Sequence, residues 1–171
     1  MKNYIRIINP NYRLFTHQEK TNWCWAATSS NVARAKSTVA SQCIIAKLCL
    51  TNCLNNCTGD ACNQPHYLHK ALASVNSFNQ WRPGKLSRRE VKSELKSNRP
   101  IGVRIAWHGS NNGHFILIFG YIIHNAIRPD LHYFVFDPLK SLGVQLLRAS
   151  ALESVNGYQL TGTWSETILT N

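Results

Sequence analysis

Apolar positions in the first part of the chain recur at the three- and four-residue spacing of helices. Further on they alternate or run together as strands do. The chain enters with a short apolar run, Tyr4 to Ile8, closed by Asn9-Pro10. A helix is predicted from about Asn22 to Lys36. Asn22 can serve as its N-cap, and the run Cys24 to Arg34 is rich in Ala and other small residues that suit close packing. A second helix, about Val39 to Leu50, carries Ile44, Ile45 and Leu48 on one face. Residues 51–64, dense in Asn, Cys and Gly, read as a loop. A third helix is expected from Pro65, capped by Asn63, with Leu68, Leu72 and Val75 aligned. Residues 76–86 read as a connector. Ser87-Arg88-Arg89-Glu90 is a capping box opening a helix with Val91 and Leu95 inside, stopped by Arg99-Pro100.

The period then changes. Ile101 to Trp107, His114 to Ile123, Leu131 to Asp137, Gly143 to Leu147 and Gly157 to Thr163 are strand-like and separated by turn residues. Helices first and strands afterwards predict an α+β fold of two lobes, mainly helical over 1–86 and mainly antiparallel sheet over 87–171. A length of 171 residues suffices for one domain with a full core, and 44% apolar against 16% charged residues is a globular composition. The longest apolar stretch, Phe115 to Ile123, falls far short of the ~20 residues a bilayer requires, so no membrane span is expected. The N-terminus, with Arg6, Pro10 and Arg13, lacks a signal-peptide core; a secreted form is expected to have lost its signal or to be released from a longer chain.

Charge adds a long-range bias. Nineteen Lys and Arg against eight Asp and Glu give +11, which attracts anionic surfaces. The basic residues are scattered from Lys2 to Arg148 and accompany no nucleic-acid-binding motif, so specific nucleic-acid recognition is not expected.

Candidate chemistry begins at Trp23-Cys24-Trp25, a cysteine at the start of a helix with Gln18 six residues upstream. A nucleophilic cysteine works as the thiolate, which a helix N-terminus and a nearby histidine favour. Buried structural cysteine is the alternative for this segment alone. Of seven histidines, His114 stands at the mouth of a strand apolar on both faces, next to the loop Ser110-Asn111-Asn112-Gly113. If that strand pairs with Leu131 to Asp137 across a loop centred on Asn125-Ala126, His114 lies opposite Asp137, with Cβ atoms about 4.5–5.5 Å apart. Asp137 then meets the imidazole as an orienting acceptor at Nδ1. His108, in the flexible loop, is the lesser candidate base, and Trp107 either walls the site or belongs to the core.

Gln18, Trp23-Cys24-Trp25-Ala26, Gly113-His114-Phe115 and Phe136-Asp137-Pro138, in this order over about residues 15 to 140, resemble the papain-like cysteine proteases. The resemblance is to the bacterial branch near bacteriocin-processing peptidases and secreted plant-pathogen effector proteases. It implies the papain-like two-lobed fold, with the nucleophile helix in the N-terminal lobe. It implies Cys24 as nucleophile, His114 as general base and acid, Asp137 as orienter, and Gln18 as an oxyanion donor beside the Cys24 amide, with no cofactor. The papain-type half-cystine three residues before the nucleophile is absent, and Asp137 stands where papain has asparagine.

The resemblance implies a peptide or protein substrate, a role as a secreted or injected bacterial effector or toxin domain, and restraint by a cognate inhibitor or immunity protein. The same Cys-His chemistry also serves peptidoglycan amidases, glutamine deamidases and transglutaminases. A non-catalytic binding module of the same shell is the reading from outside enzymology. Five further cysteines, Cys43, Cys49, Cys53, Cys57 and Cys62, fall within twenty residues. Two disulfides and one free thiol are expected, which implies an oxidising destination; a zinc site and fully reduced thiols are the alternatives.

Overall fold

The computed structural model of the chain describes residues 4–7, 10–53, 57–124 and 130–171. Three helices come first: α1 (Cys24–Ala35), α2 (Gln42–Cys49) and α3 (Leu68–Ser74). α1 is buried on nearly every side, which its Ala and Ser content allows, and its buried polar side chains other than Ser29 find partners among the described residues. Ser30 donates to the Ala40 carbonyl at 2.6 Å, and Asn31 exchanges two bonds with the Thr16 backbone at 2.9 and 3.0 Å. These bonds fix the entry segment and the α1–α2 link around one central helix. Ser41 caps α2 through the Ile44 amide. The capping box forms as the sequence predicts, with Ser87 and Glu90 closing the start of α4 (Arg88–Lys96). A one-turn helix, α5 (Ala149–Leu152), follows later.

The sheet comprises β1 (Tyr4–Ile7), β2 (Phe78–Pro83), β3 (Ile101–Trp107), β4 (Gly113–His124), β5 (Asp130–Asp137), β6 (Gly143–Arg148) and β7 (Gly162–Thr170). Its antiparallel order is β2-β7-β3-β4-β5-β6, and β1 runs beside β4 from Gly120 onward, where the pairing with β3 has ended at Ile118. One face carries Phe115, Leu117, Phe119 and Phe136 against α1, α2 and α3; the other carries Val103, Ile105, Ile116, Ile118 and Val135 against α4 and α5. A bulge between Ile118 and Gly120 flips the alternation, so Tyr121 joins the face of Ile116 and Ile118. Gly102 has a packing reason: a Cβ there would stand 2.7 Å from Leu68 Cδ2, so α3 sits directly on β3.

Several expectations change. The helix expected from Asn22 starts at Cys24 with Trp23 at the cap position and no side-chain cap, because Asn22 is engaged with Asn63 instead. For the same reason Asn63 does not cap α3, which starts at Leu68 rather than Pro65. The helix read from Val39 is confined to Gln42–Cys49, since Ser41 stops it at its N-terminus. The connector 76–86 contains β2, which pairs with β7 and has mostly exposed side chains, leaving no apolar alternation to read. Gly157 to Thr163 is mainly a turn, with positive φ at Gln159 and Leu160, and the strand lies beyond it in Gly162–Thr170. Ile8 and Asn9, and the loop centre at Asn125-Ala126, lie outside the described residues.

Two disulfides, Cys43–Cys57 and Cys53–Cys62, staple the loop after α2, leaving Cys24 and Cys49 as the free cysteines. The sulfurs of Cys53, Cys57 and Cys62 lie within 4.8 Å of one another, but as half-cystines they are not thiolate ligands for a zinc ion. Alkylation of the unfolded, unreduced protein is expected to modify Cys24 and Cys49 alone. Full reduction is expected to cost about 2–4 kcal/mol per bridge in denaturant unfolding. Modification of four or more thiols without reductant contradicts this pairing.

Candidate active site

The structure brings Cys24, His114 and Asp137 together. Cys24 opens α1 and is partly exposed. At a first helical position its backbone N–H has no acceptor within the helix and lies at the positive end of the dipole. The two flanking tryptophans are anchors. The Trp23 indole donates to the Cys62 carbonyl at 2.6 Å and the Trp25 indole to the Gln64 carbonyl at 3.0 Å. Asn22 bonds Asn63 through both its backbone and its side chain, at 3.0 and 2.8 Å. The segment 62–64, tied down by the Cys53–Cys62 bridge, therefore grips both sides of the helix start. Trp23 and Trp25 are fully buried, so the rings add apolar contact to these bonds.

His114 lies on β4, and its Nε2 bonds Asp137 Oδ1 at 2.8 Å. The expected register was wrong in detail. Leu117 pairs with Phe136, so Asp137 comes level with Ile116 and meets His114 diagonally, on the same face. The pairing of His124 with Asp130 and the bulge at Ile118/Gly120 together set the shift. The nitrogen also differs: Nε2, not Nδ1, takes the carboxylate. The Cys24 thiol also acts on the ring, helping to hold its proton, and with Nε2 taken by Asp137 the nitrogen left to it is Nδ1.

Asp137 has no exposed surface, and both of its oxygens are engaged. Oδ1 also accepts the Leu139 amide at 2.8 Å, and Oδ2 accepts a short bond from the Tyr158 hydroxyl. Trp107 stacks on the His114 ring, with centroids 6.2 Å apart and planes 18° from parallel, and also borders Tyr158. It therefore walls the site. His108 is exposed and bonded to Thr163, away from this group.

Burial opposes the charged form of His114, but the hydrogen bonds to Asp137 and Cys24, together with their charges, outweigh it and raise the ring to about 9. Burial, helped by the charge of Asp137, pushes the Tyr158 phenol above its ordinary value, so it remains a donor. Burial also raises the Cys49 thiol, which faces Ser74 rather than a base. That environment is structural.

Gln18 is buried, but it faces a neighbouring depression with Thr21, Asn63 and Leu139 rather than the space over Cys24 and His114, and it is not a free donor. Its Nε2 gives both protons to the carbonyls of Lys20 and Thr21, at 2.9 and 2.7 Å, while Oε1 has no partner among the described residues. A reversed amide would set oxygen against two carbonyls, so the orientation follows from the bonds. The Gln18 backbone N–H donates to the Pro138 carbonyl at 2.8 Å, and His17 Nδ1 bonds the Leu139 carbonyl at 3.0 Å. The entry segment thus pins the turn that follows Asp137.

A cleft of about 590 Å³ opens over Cys24 and His114. Thr21, Asn22 and Trp25 line it from the helical side, His66 and Tyr67 from the segment before α3, and Arg104, Trp107 and Gly113 from the sheet. The sequence offered no signal for Tyr158, which lies in a turn and reaches Asp137 only through tertiary folding.

Residues 10–165 match the Peptidase C39-like family. No curated protein matches the sequence. Among solved structures, the peptidase domain of Streptococcus ComA, a bifunctional ABC transporter involved in a quorum-sensing pathway, is similar with a TM-score of 0.55 and 17% identity over 91% of this chain and 96% of that one. A protein described as a C39-like peptidase from Bacillus anthracis is similar with a TM-score of 0.57 and 11% identity over 98% of both chains. Both likenesses are of fold.

The His114 environment has a measurable consequence. Because its value is raised, the ring's contribution to stability is complete below its ordinary 6.5 and is lost as pH rises through about 9. NMR titration of the ring is expected to give a midpoint near 9 in the native protein. In Asp137→Asn it should fall by at least about one unit, since burial is then less opposed. A midpoint near 6.5 in both proteins contradicts the assignment.

Proposed function

Because the chain belongs to the Peptidase C39-like family and is a cysteine protease of papain-like fold, we propose that it hydrolyses peptide bonds through Cys24, His114 and Asp137. The observation that carries the proposal is that Cys24 and His114 share one cleft, with the ring bonded to a fully buried carboxylate that is itself bonded at both oxygens. The Cys24 thiolate attacks the scissile carbonyl while His114 holds the proton as imidazolium. Collapse of the tetrahedral adduct breaks the C–N bond, and His114 delivers its proton to the departing amine. A water then gives its proton to His114 and attacks the thioester, and the acid product leaves with Cys24 restored.

The oxyanion is held by the Cys24 backbone N–H at the positive end of α1 and by Gln18. Gln18 reaches it by exchanging one of its bonds to the Lys20 and Thr21 carbonyls for the substrate oxygen. Tyr158 is a positioning residue: by donating to Oδ2 it fixes the carboxylate plane and thereby the ring.

The two disulfides support action in an oxidising compartment; a role there as an effector or toxin-like domain restrained by a separate inhibitor belongs to the same proposal and follows from the resemblance of the sequence alone. The formal charge of +11 favours acidic protein substrates over long range. Amidase, deamidase and transglutaminase activities use the same three side chains on other carbonyls, and none has a specific observation in its favour.

Incubation with casein or lysate proteins, followed by N-terminal peptide mapping, is expected to yield new N-termini that vanish with Cys24→Ala. Gln18→Ala is expected to lower kcat about 10²–10³-fold with little change in KM. Tyr158→Phe should keep measurable activity but shift the alkaline limb of the pH profile away from about 9. Released ammonia or wall peptides without new protein N-termini would instead point to the amidase-type chemistries. Full activity of Cys24→Ala would contradict the proposal.

A further inference from the structure

The cleft contains a fixed cation that the reaction does not use. Arg104 sits in the middle of β3 between Val103 and Ile105, both buried on the α4/α5 side. Alternation therefore turns it to the other face, with Gly102, toward the helices and the cleft. It pairs across the ladder with Phe115, the residue after His114, so it stands close to the reacting group. Among the described residues lining the cleft it is the one Lys or Arg, and none is acidic. His66, on the opposite wall, is held below its ordinary value by burial and by the charges of Lys70 and His69, so it adds no competing cation at neutral pH.

The guanidinium is held in place, yet one edge is unused. Nη1 donates to Ser165 Oγ at 3.2 Å and lies 3.6 Å from Glu166 Oε1, a contact too long for a good hydrogen bond. Glu166 is shared, since its Oε2 takes the Trp81 indole at 2.8 Å. The Nε–Nη2 edge has no acceptor among the described residues. This edge lies over Gly113: a Cβ there would stand 2.9 Å from both Nε and Nη2 and 2.8 Å from Cζ. Gly113 thus leaves the room in which the planar group rests on the backbone just before His114. A guanidinium edge with two parallel N–H donors matches the two oxygens of a carboxylate.

We propose that Arg104 forms a carboxylate-binding subsite of this cleft, selecting substrates with an acidic group near the scissile bond. The carboxylate is that of an Asp or Glu side chain or of a substrate C-terminus. Glu166 acts as a weak internal competitor that keeps the guanidinium in place when the cleft is empty. The inference rests on the peptidase reading only for the word substrate; the binding itself does not need the reaction.

The test therefore uses the Cys24→Ala protein as bait for a randomised peptide library, with free and amidated C-termini in separate arms, and sequences the bound pool. Asp and Glu are expected to be enriched about tenfold at one position, or free acids over amides by the same factor, equivalent to about 1.4 kcal/mol. Arg104→Gln in the same background should abolish the enrichment, Arg104→Glu should replace it with Lys and Arg, and Glu166→Gln should strengthen it. Arg89→Gln, which removes an exposed charge on α4 remote from the cleft, should leave it unchanged. Thermal melts of the Arg104 variants confirm folding, and the Glu166→Gln arm reads the subsite with Arg104 intact. Acidic enrichment that survives Arg104→Gln, or no carboxylate preference at any position, overturns the proposal. Failure of the peptidase reading has a different signature, the absence of new N-termini with Cys24 in place.

Discussion

A carboxylate with no exposed surface is stable only if each oxygen is bonded, and Asp137 sets that demand for the whole site. Its partners come from three places in the chain: His114 at the mouth of β4, the Leu139 amide in the following turn, and Tyr158 from the turn before β7. Satisfying one group therefore aligns β4, β5 and the C-terminal turn. It also decides the ring geometry of His114, because Nε2 is taken and Nδ1 is left for Cys24. The raised affinity of the ring for its proton is the electrostatic result of the same arrangement.

The other half of the site solves a different problem, the placement of a helix start. α1 opens without a side-chain cap, and its first residue is Cys24. What holds it are the indoles on either side and the carbonyls of the loop 62–64 that receive them. That loop has little apolar content, so the disulfides supply the order that a core would otherwise give it. The entry segment joins the halves, since Asn31 of α1 holds Thr16, and His17 and Gln18 hold the turn at 138–139.

Much of this was legible in the residues. The capping box at Ser87 and the strand Ile101–Trp107 carry local patterns and form as read, and the small-residue helix forms too, though it starts at Cys24 without the Asn22 cap. Cys24, His114 and Asp137 were legible because strand period and turn residues bring two of them to one end of the sheet. Their exact register was not, since a bulge leaves no signature in a run such as Phe115 to Phe119 that is apolar on both faces. β2 escaped because an edge strand with exposed side chains has no buried face to betray it. Tyr158 and the free edge of Arg104 escaped for a deeper reason: their surroundings are made by residues far away in sequence, Asp137 for one, Gly113 and Ser165 for the other.

In the proposed reaction Cys24 forms a covalent acyl intermediate on the path to hydrolysis. The most direct measurement is acid quench of the enzyme during turnover of a cleaved peptide, followed by peptide mapping of the protein by mass spectrometry. A thioester on Cys24 carrying the N-terminal fragment of the substrate is expected, and none on Cys49. Turnover without any adduct on Cys24, or with the adduct on Cys49, would contradict it.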